Sequence, residues 1–97
     1  MGAWGRTDEW DGTSGEQPRG INVTRNFAHE LGIYELQSAM WFQAKAARVT
    51  LSGNVFFNGP RSGINFNDGF GGGNLVEANA IFNECRQSGD HGPINSW

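Results

Sequence analysis

A right-handed parallel β-helix of about three coils is the fold this sequence predicts, and three observations predict it. Three segments, Ile21 to Phe27, Val49 to Asn58 and Leu75 to Asn83, repeat one pattern of apolar alternation, a small or polar turn, and a second apolar run. Each carries an asparagine at the same place, Asn26, Asn54 and Asn79, 28 and then 25 residues apart, and a period in that range marks a solenoid. A second registered pair, Asn58 and Asn83, follows the bulky runs Phe56-Phe57 and Ile81-Phe82.

Along the chain, residues 1–20 break the pattern. Thr7 to Glu16 is acidic and turn-rich, so 1–20 reads as a loop or the remnant of a preceding coil. Residues 21–97 read as the coils, incomplete at the C-terminus, where Trp97 falls within an expected strand. Each coil is expected to be two or three short strands, every strand pairing in parallel with its equivalent about 4.8 Å away. Asparagine suits the bends because it tolerates the left-handed conformation and its amide can bond from coil to coil. A third strand family follows: Ser62 to Asp68 aligns with Ser38 to Gln43, then with Pro93 to Trp97. His29 to Gln37 is also a tolerable helical run, which Gly32 opposes. Parallel edges left open above and below predict self-association of the isolated chain.

Composition narrows the function. The net charge is −3, with a single lysine, Lys45, and arginines scattered from Arg6 to Arg86. Nucleic-acid binders carry a basic stripe, and none is visible. Cys85 is the only cysteine, which excludes an internal disulfide and a thiolate metal cluster. No apolar run is long enough to span a membrane, and no signal-peptide core precedes Gly20. The glycine run Gly69 to Gly73 lacks the Gly-Lys-Ser/Thr ending of a phosphate loop and reads as a sharp turn. His29-Glu30 lacks the second histidine of a zinc-protease helix, Ile33 standing there. Asp8, Asp11 and Glu16, or Asn65, Asn67 and Asp68, offer oxygen ligands to calcium, although neither set has an EF-hand's spacing; solvated turns are the ordinary reading. Asn22-Val23-Thr24 is a glycosylation sequon within an expected strand.

The third strand family carries the functional expectation. With Ile64 and Phe66 inward, Asn65 and Asn67 point outward; by the same alternation Met40 and Phe42 face in, while Trp41 and Gln43 face out beside Lys45. Asn95 and Trp97 extend that face, bordered by Arg61, Asp90 and His91. Amides, tryptophan faces and flanking charges suit a sugar chain. Trp41, Gln43, Asn65, Asn67, Asn95 and Trp97 are therefore the expected substrate-binding residues. For β-elimination on a uronic-acid polymer, Arg61, Arg86, Lys45 and His91 supply cation and base; for hydrolysis, Asp68 and Asp90 supply carboxyl groups. The same face serves equally as the solvated side of a scaffold that binds nothing.

Gly12 to Arg19, Asn58 to Asn74 and Ser88 to Trp97 together resemble a family of right-handed β-helix repeat proteins, in which similar segments lie within a longer chain. The wider superfamily includes pectate lyases, alginate lyases, epimerases, polygalacturonases and phage tailspikes, most of which act on or bind polysaccharides. The resemblance implies the fold, a polysaccharide partner and an extracellular or secretory setting. It matches no single catalytic motif, so lyase, epimerase and hydrolase chemistry stay open beside a non-catalytic solenoid.

Overall fold

Runs of three or four residues with period-two apolar alternation form strands only when neighbours cover them, and here each coil covers the next. The computed structural model describes residues 1–8, 10 and 12–97. Among these there is no helix; the strands are β1 (Gly2–Trp4), β2 (Asn22–Thr24), β3 (Phe27–His29), β4 (Trp41–Ala44), β5 (Thr50–Ser52), β6 (Val55–Phe57), β7 (Ile64–Phe66), β8 (Leu75–Glu77), β9 (Ala80–Phe82) and β10 (Ile94–Ser96). They stack into three parallel sheets, ordered β1-β4-β7-β10, β2-β5-β8 and β3-β6-β9, which together wind as a β-helix-type solenoid. The alternative helix at His29 to Gln37 does not form: the segment is strand end, bends and turns.

Register fixes the core. Val23, Leu51 and Val76 stack in one sheet, and Ala28, Phe56 and Ile81 in the next. The middle coil is the driest, with Val49, Leu51, Phe56 and Ile64 fully buried. Burying a side chain such as Leu51 or Phe56 is worth roughly 2 kcal/mol, so the central layer carries much of the stability.

Two bends connect the sheets in a constant way. At the first, Asn54 is sealed from solvent and uses its whole amide. Its Nδ2 donates to the Val23 carbonyl (2.8 Å) and to Asn79 Oδ1 (2.8 Å), while its Oδ1 accepts from the backbone N–H (3.0 Å) and Nδ2 (2.9 Å) of Asn26. The expected coil-to-coil ladder therefore forms. The expected left-handed asparagines do not, at this bend. The residue before each one turns the chain instead: Arg25, Gly53 and Ala78 have φ of 56°, 66° and 52°. An asparagine in the left-handed state would swing its amide out of the stack, so the ladder and the turn are divided between neighbours. At the second bend the expectation holds, Asn58 and Asn83 having φ of 57° and 52°, with Glu30 (51°) completing the set.

The third strand family needs one correction. Trp41 pairs with Ile64 and Gln43 with Phe66, one residue away from the alignment of Met40 with Ile64. A one-residue slip exchanges the faces of a strand. Trp41 and Gln43 thus lie inside the wall, at 3% and 4% exposure, whereas Phe42 faces out against the Trp4 ring (5.8 Å). Their polar atoms make this tolerable: Trp41 Nε1 donates to Gln43 Oε1 (3.3 Å), and Gln43 Nε2 donates to the Ala46 carbonyl (2.8 Å). Met40 is still buried, but at the bend before β4. In the glycine run, Gly73 (φ 67°) turns the chain, and a β-carbon at Gly71 would collide with the Ala46 carbonyl.

Candidate functional site

Loop length builds a concave feature of the surface. The connections from the β3-β6-β9 sheet to the β1-β4-β7-β10 sheet span 30–40, 58–63 and 83–93. The middle one is the shortest, so the outer two rise on either side of it. Between them lies a groove of about 260 Å³, floored by Asn58, Gly59 and Pro60 and walled by Glu30, Leu31 and Ile33 on one side and Arg86 and Gln87 on the other. Gly32, at φ 72°, turns the first loop tightly against the Pro60 ring. The third loop is laid over the second by backbone bonds, Cys85 N–H to the Arg61 carbonyl (2.8 Å) and Gln87 N–H to the Pro60 carbonyl (3.0 Å).

Glu30 is held in place by two side chains. Asn58 Nδ2 donates to its Oε1 (2.7 Å) and His29 Nδ1 meets its Oε2 (2.5 Å). Those two hydrogen bonds, with a smaller contribution from the Arg86 charge, hold its carboxyl below the usual range, so it is an anionic acceptor at neutral pH. Asn83 Nδ2 donates in turn to Asn58 Oδ1, tying all three coils into the rim. Tyr34, 99% exposed, stands in the same loop as Ile33.

The expected catalytic residues fall into two groups. Arg61 and His91 meet: Arg61 Nε donates to His91 Nε2 (2.9 Å), and Arg61 Nη1 to Gln37 Oε1 (2.6 Å). Because arginine only donates, His91 Nε2 is an acceptor and its Nδ1–H faces Asp90 Oδ1 (2.5 Å). Ser88 and then His91 hold the Asp90 carboxyl down at about 2 by hydrogen bonding. The His91 side chain is fully buried, with its ring edge-on to Trp97 at 5.7 Å. Asp68 and Lys45 lie past the other ends of β7 and β4. Asp68 accepts the backbone N–H of Lys45 (2.9 Å) and of Phe70 (3.2 Å), and Lys45 Nζ sits over the Phe70 ring at 5.4 Å. Arg61, Asp68 and His91 therefore do not converge in one patch: Asp68 is engaged in a turn, because a carboxylate there satisfies amides that the bend leaves open.

The expected binding residues are similarly divided. Trp41 and Gln43 are inside the wall. Asn65 faces outward by register yet is buried; Asn95 Nδ2 donates to its Oδ1 (3.2 Å). Asn67 and Trp97 are exposed. Of the two oxygen sets considered for calcium, Asp11 lies outside the described residues, and among the described ones no group of three or more His, Cys, Asp or Glu could hold a metal. No helix among them is long and apolar enough to cross a membrane.

Sequence reasoning missed the groove, whose signal was the differing loop lengths. It also missed an aromatic row on the outer face of the β3-β6-β9 sheet. His29 stacks on Phe57 (4.9 Å, 9°) and Phe57 on Phe82 (5.0 Å, 3°), with Phe27 edge-on to both His29 and Phe57. The alignment of His29, Phe57 and Phe82 was readable from the repeat. These rings spend their faces on one another, which suits a strut between coils better than a platform for a ligand. Comparison with protein families, with curated proteins and with solved structures returned no match.

Proposed function

We propose that this domain is a right-handed parallel β-helix of the pectate-lyase-like superfamily that binds a polysaccharide, without cleaving it, in the groove between its three loops. The right hand follows the chirality general to strand–crossover–strand connections. One observation carries the binding reading: a carboxylate (Glu30), two amides (Asn58, Gln87) and a guanidinium (Arg86) line one groove with the apolar Leu31, Ile33 and Pro60. Sugar hydroxyls both donate and accept, so they need acceptors and donors side by side, with apolar walls for the ring carbons. Glu30 and Arg86 offset each other in charge, which favours a neutral glycan over a uronic-acid polymer. Arg61, Asn67, Asn95 and Trp97 lie outside the lining of this groove.

Binding is favoured over cleavage because the groups suited to chemistry are engaged with protein partners. His91 Nε2 is occupied by Arg61, and Asp68 by backbone amides. A base needs its lone pair within reach of the substrate proton.

The test is binding of xylan, hydroxyethylcellulose, polygalacturonate and alginate, measured by affinity electrophoresis and calorimetry. Glu30→Gln and Arg86→Ala are each expected to weaken neutral-glycan binding about tenfold, the worth of a charged hydrogen bond, with the circular dichroism unchanged. Absence of binding to all four polymers, or binding that both substitutions spare, removes this reading in favour of a scaffold.

A further inference from the structure

One half-buried acid lies beside the groove, against its Gly59 floor. Glu84 begins the loop that supplies Arg86 and Gln87, and both its carboxylate oxygens are sealed from solvent without a hydrogen-bond partner. The packing around it is close. A β-carbon at Gly59 would collide with Oε2, and one at Gly63 would touch Oε1 and a methyl of Ile81. The coil beneath thus meets this carboxyl with the glycine backbone of Gly59 and Gly63. On its own loop the titratable neighbours are the Cys85 thiol and, beyond it, Asp90. The nearby cations have other partners: Arg61 holds His91 and Gln37, and Arg86 acts on Glu30.

An uncharged carboxyl is tolerable in such a place, whereas an anion without a partner is not. Burial pushes the Glu84 carboxyl up to about 7, and the adjacent Gly59 backbone offsets only part of this without closing a hydrogen bond of normal geometry. Lifting the 84–87 segment off Gly59 and Pro60 relieves an ionised Glu84 by carrying the carboxylate into water. That movement breaks the bonds Cys85 N–H to Arg61, Arg86 N–H to Gly59 and Gln87 N–H to Pro60, and it removes one wall of the groove.

We propose that Glu84 is a proton-operated latch: uncharged, it holds the third loop down and the groove intact; ionised, it releases the loop and opens the groove. The consequence for glycan binding rests on the function proposed above, but the latch itself does not.

Cys85 reports on the latch directly, being the only thiol and half-buried beside Glu84. Iodoacetamide alkylation of the full chain is followed by mass spectrometry from about pH 5.5 to about pH 8.5 for wild type, Glu84→Gln and Glu84→Met. Dividing the wild-type rate by either variant's rate cancels the ordinary titration of the thiol. The direct effect of a Glu84 charge is to raise the thiol's pKa, which would make that ratio fall as pH rises. The latch predicts the opposite. The ratio stays near one in acid and rises several-fold above neutrality, against both variants. A flat or falling ratio overturns the latch. In parallel, xylan and hydroxyethylcellulose binding is measured at both ends of the range. A rising ratio without glycan binding at either pH keeps the latch and discards the glycan reading. Glycan binding that is equal at both pH values, together with a flat ratio, does the reverse.

Discussion

Asn54→Ala is expected to cost about 4 kcal/mol, a large share of the roughly 5–10 kcal/mol that a chain of this size commands. The estimate follows from what is stranded. Alanine at this position strands the Val23 carbonyl and the Asn26 N–H, and takes one of two partners from Asn26 Nδ2, which keeps the Thr24 carbonyl, and from Asn79 Oδ1, which keeps the backbone N–H of residue 54. Each such group costs about 1–3 kcal/mol if it stays dry, and water entering the vacated space recovers part of that. Asn26→Ala is the internal control. Asn26 is only half-buried, and its amide donates to Thr24 and to Asn54, so about 1 kcal/mol is expected there. Urea unfolding followed by far-ultraviolet circular dichroism measures both. Equal losses at the two positions would mean that the ladder contributes rung by rung without regard to burial.

The second large effect is a stability that declines as pH rises. The Glu84 carboxyl moves from an ordinary value of 4.5 to about 7 on folding, burial being the main cause. Between those values the folded chain holds a proton that the unfolded chain has lost, so raising the pH favours unfolding. The contribution of Glu84 is greatest below pH about 4.5, falls across the interval, and is level above about 7. A shift of this size would correspond to about 3 kcal/mol if the site were closed, and its partial exposure reduces the expected loss to roughly 1–2 kcal/mol. Glu84→Gln should remove this slope and melt above wild type at alkaline pH. Thermal melts of both chains at several pH values decide it, and parallel profiles would place the loss of stability with rising pH elsewhere.

How far the sequence could be read depended on whether a residue's role repeats. Asn26, Asn54 and Asn79 occupy one position in successive coils, so their spacing exposed both the fold and the ladder. The strand pairs Ile64 with Ile94 and Asn65 with Asn95 followed in the same way. Between β3 and β4 no repeat constrains the register, and both Met40 and Trp41 are apolar, so nothing local distinguished the true pairing from its neighbour. Glu30 was hidden because it replaces asparagine in its set, and the groove was hidden because it arises from a difference between coils. Glu84 and Gly59 show the same limit: a carboxyl against a glycine 25 positions earlier leaves no local pattern in the chain.

The amide ladder also has a direction. In each rung the carbonyl of Asn54 or Asn79 faces the coil before it, while the Nδ2 groups of Asn26 and Asn54 face the coil after. The side-chain dipoles therefore add along the axis rather than cancel, and each polarises the next. A coil presented the right way up meets a rung waiting with the complementary sense, whereas an inverted coil would bring oxygen to oxygen. The solenoid thus carries an electrical orientation that its apolar interior, the same in either sense, does not supply.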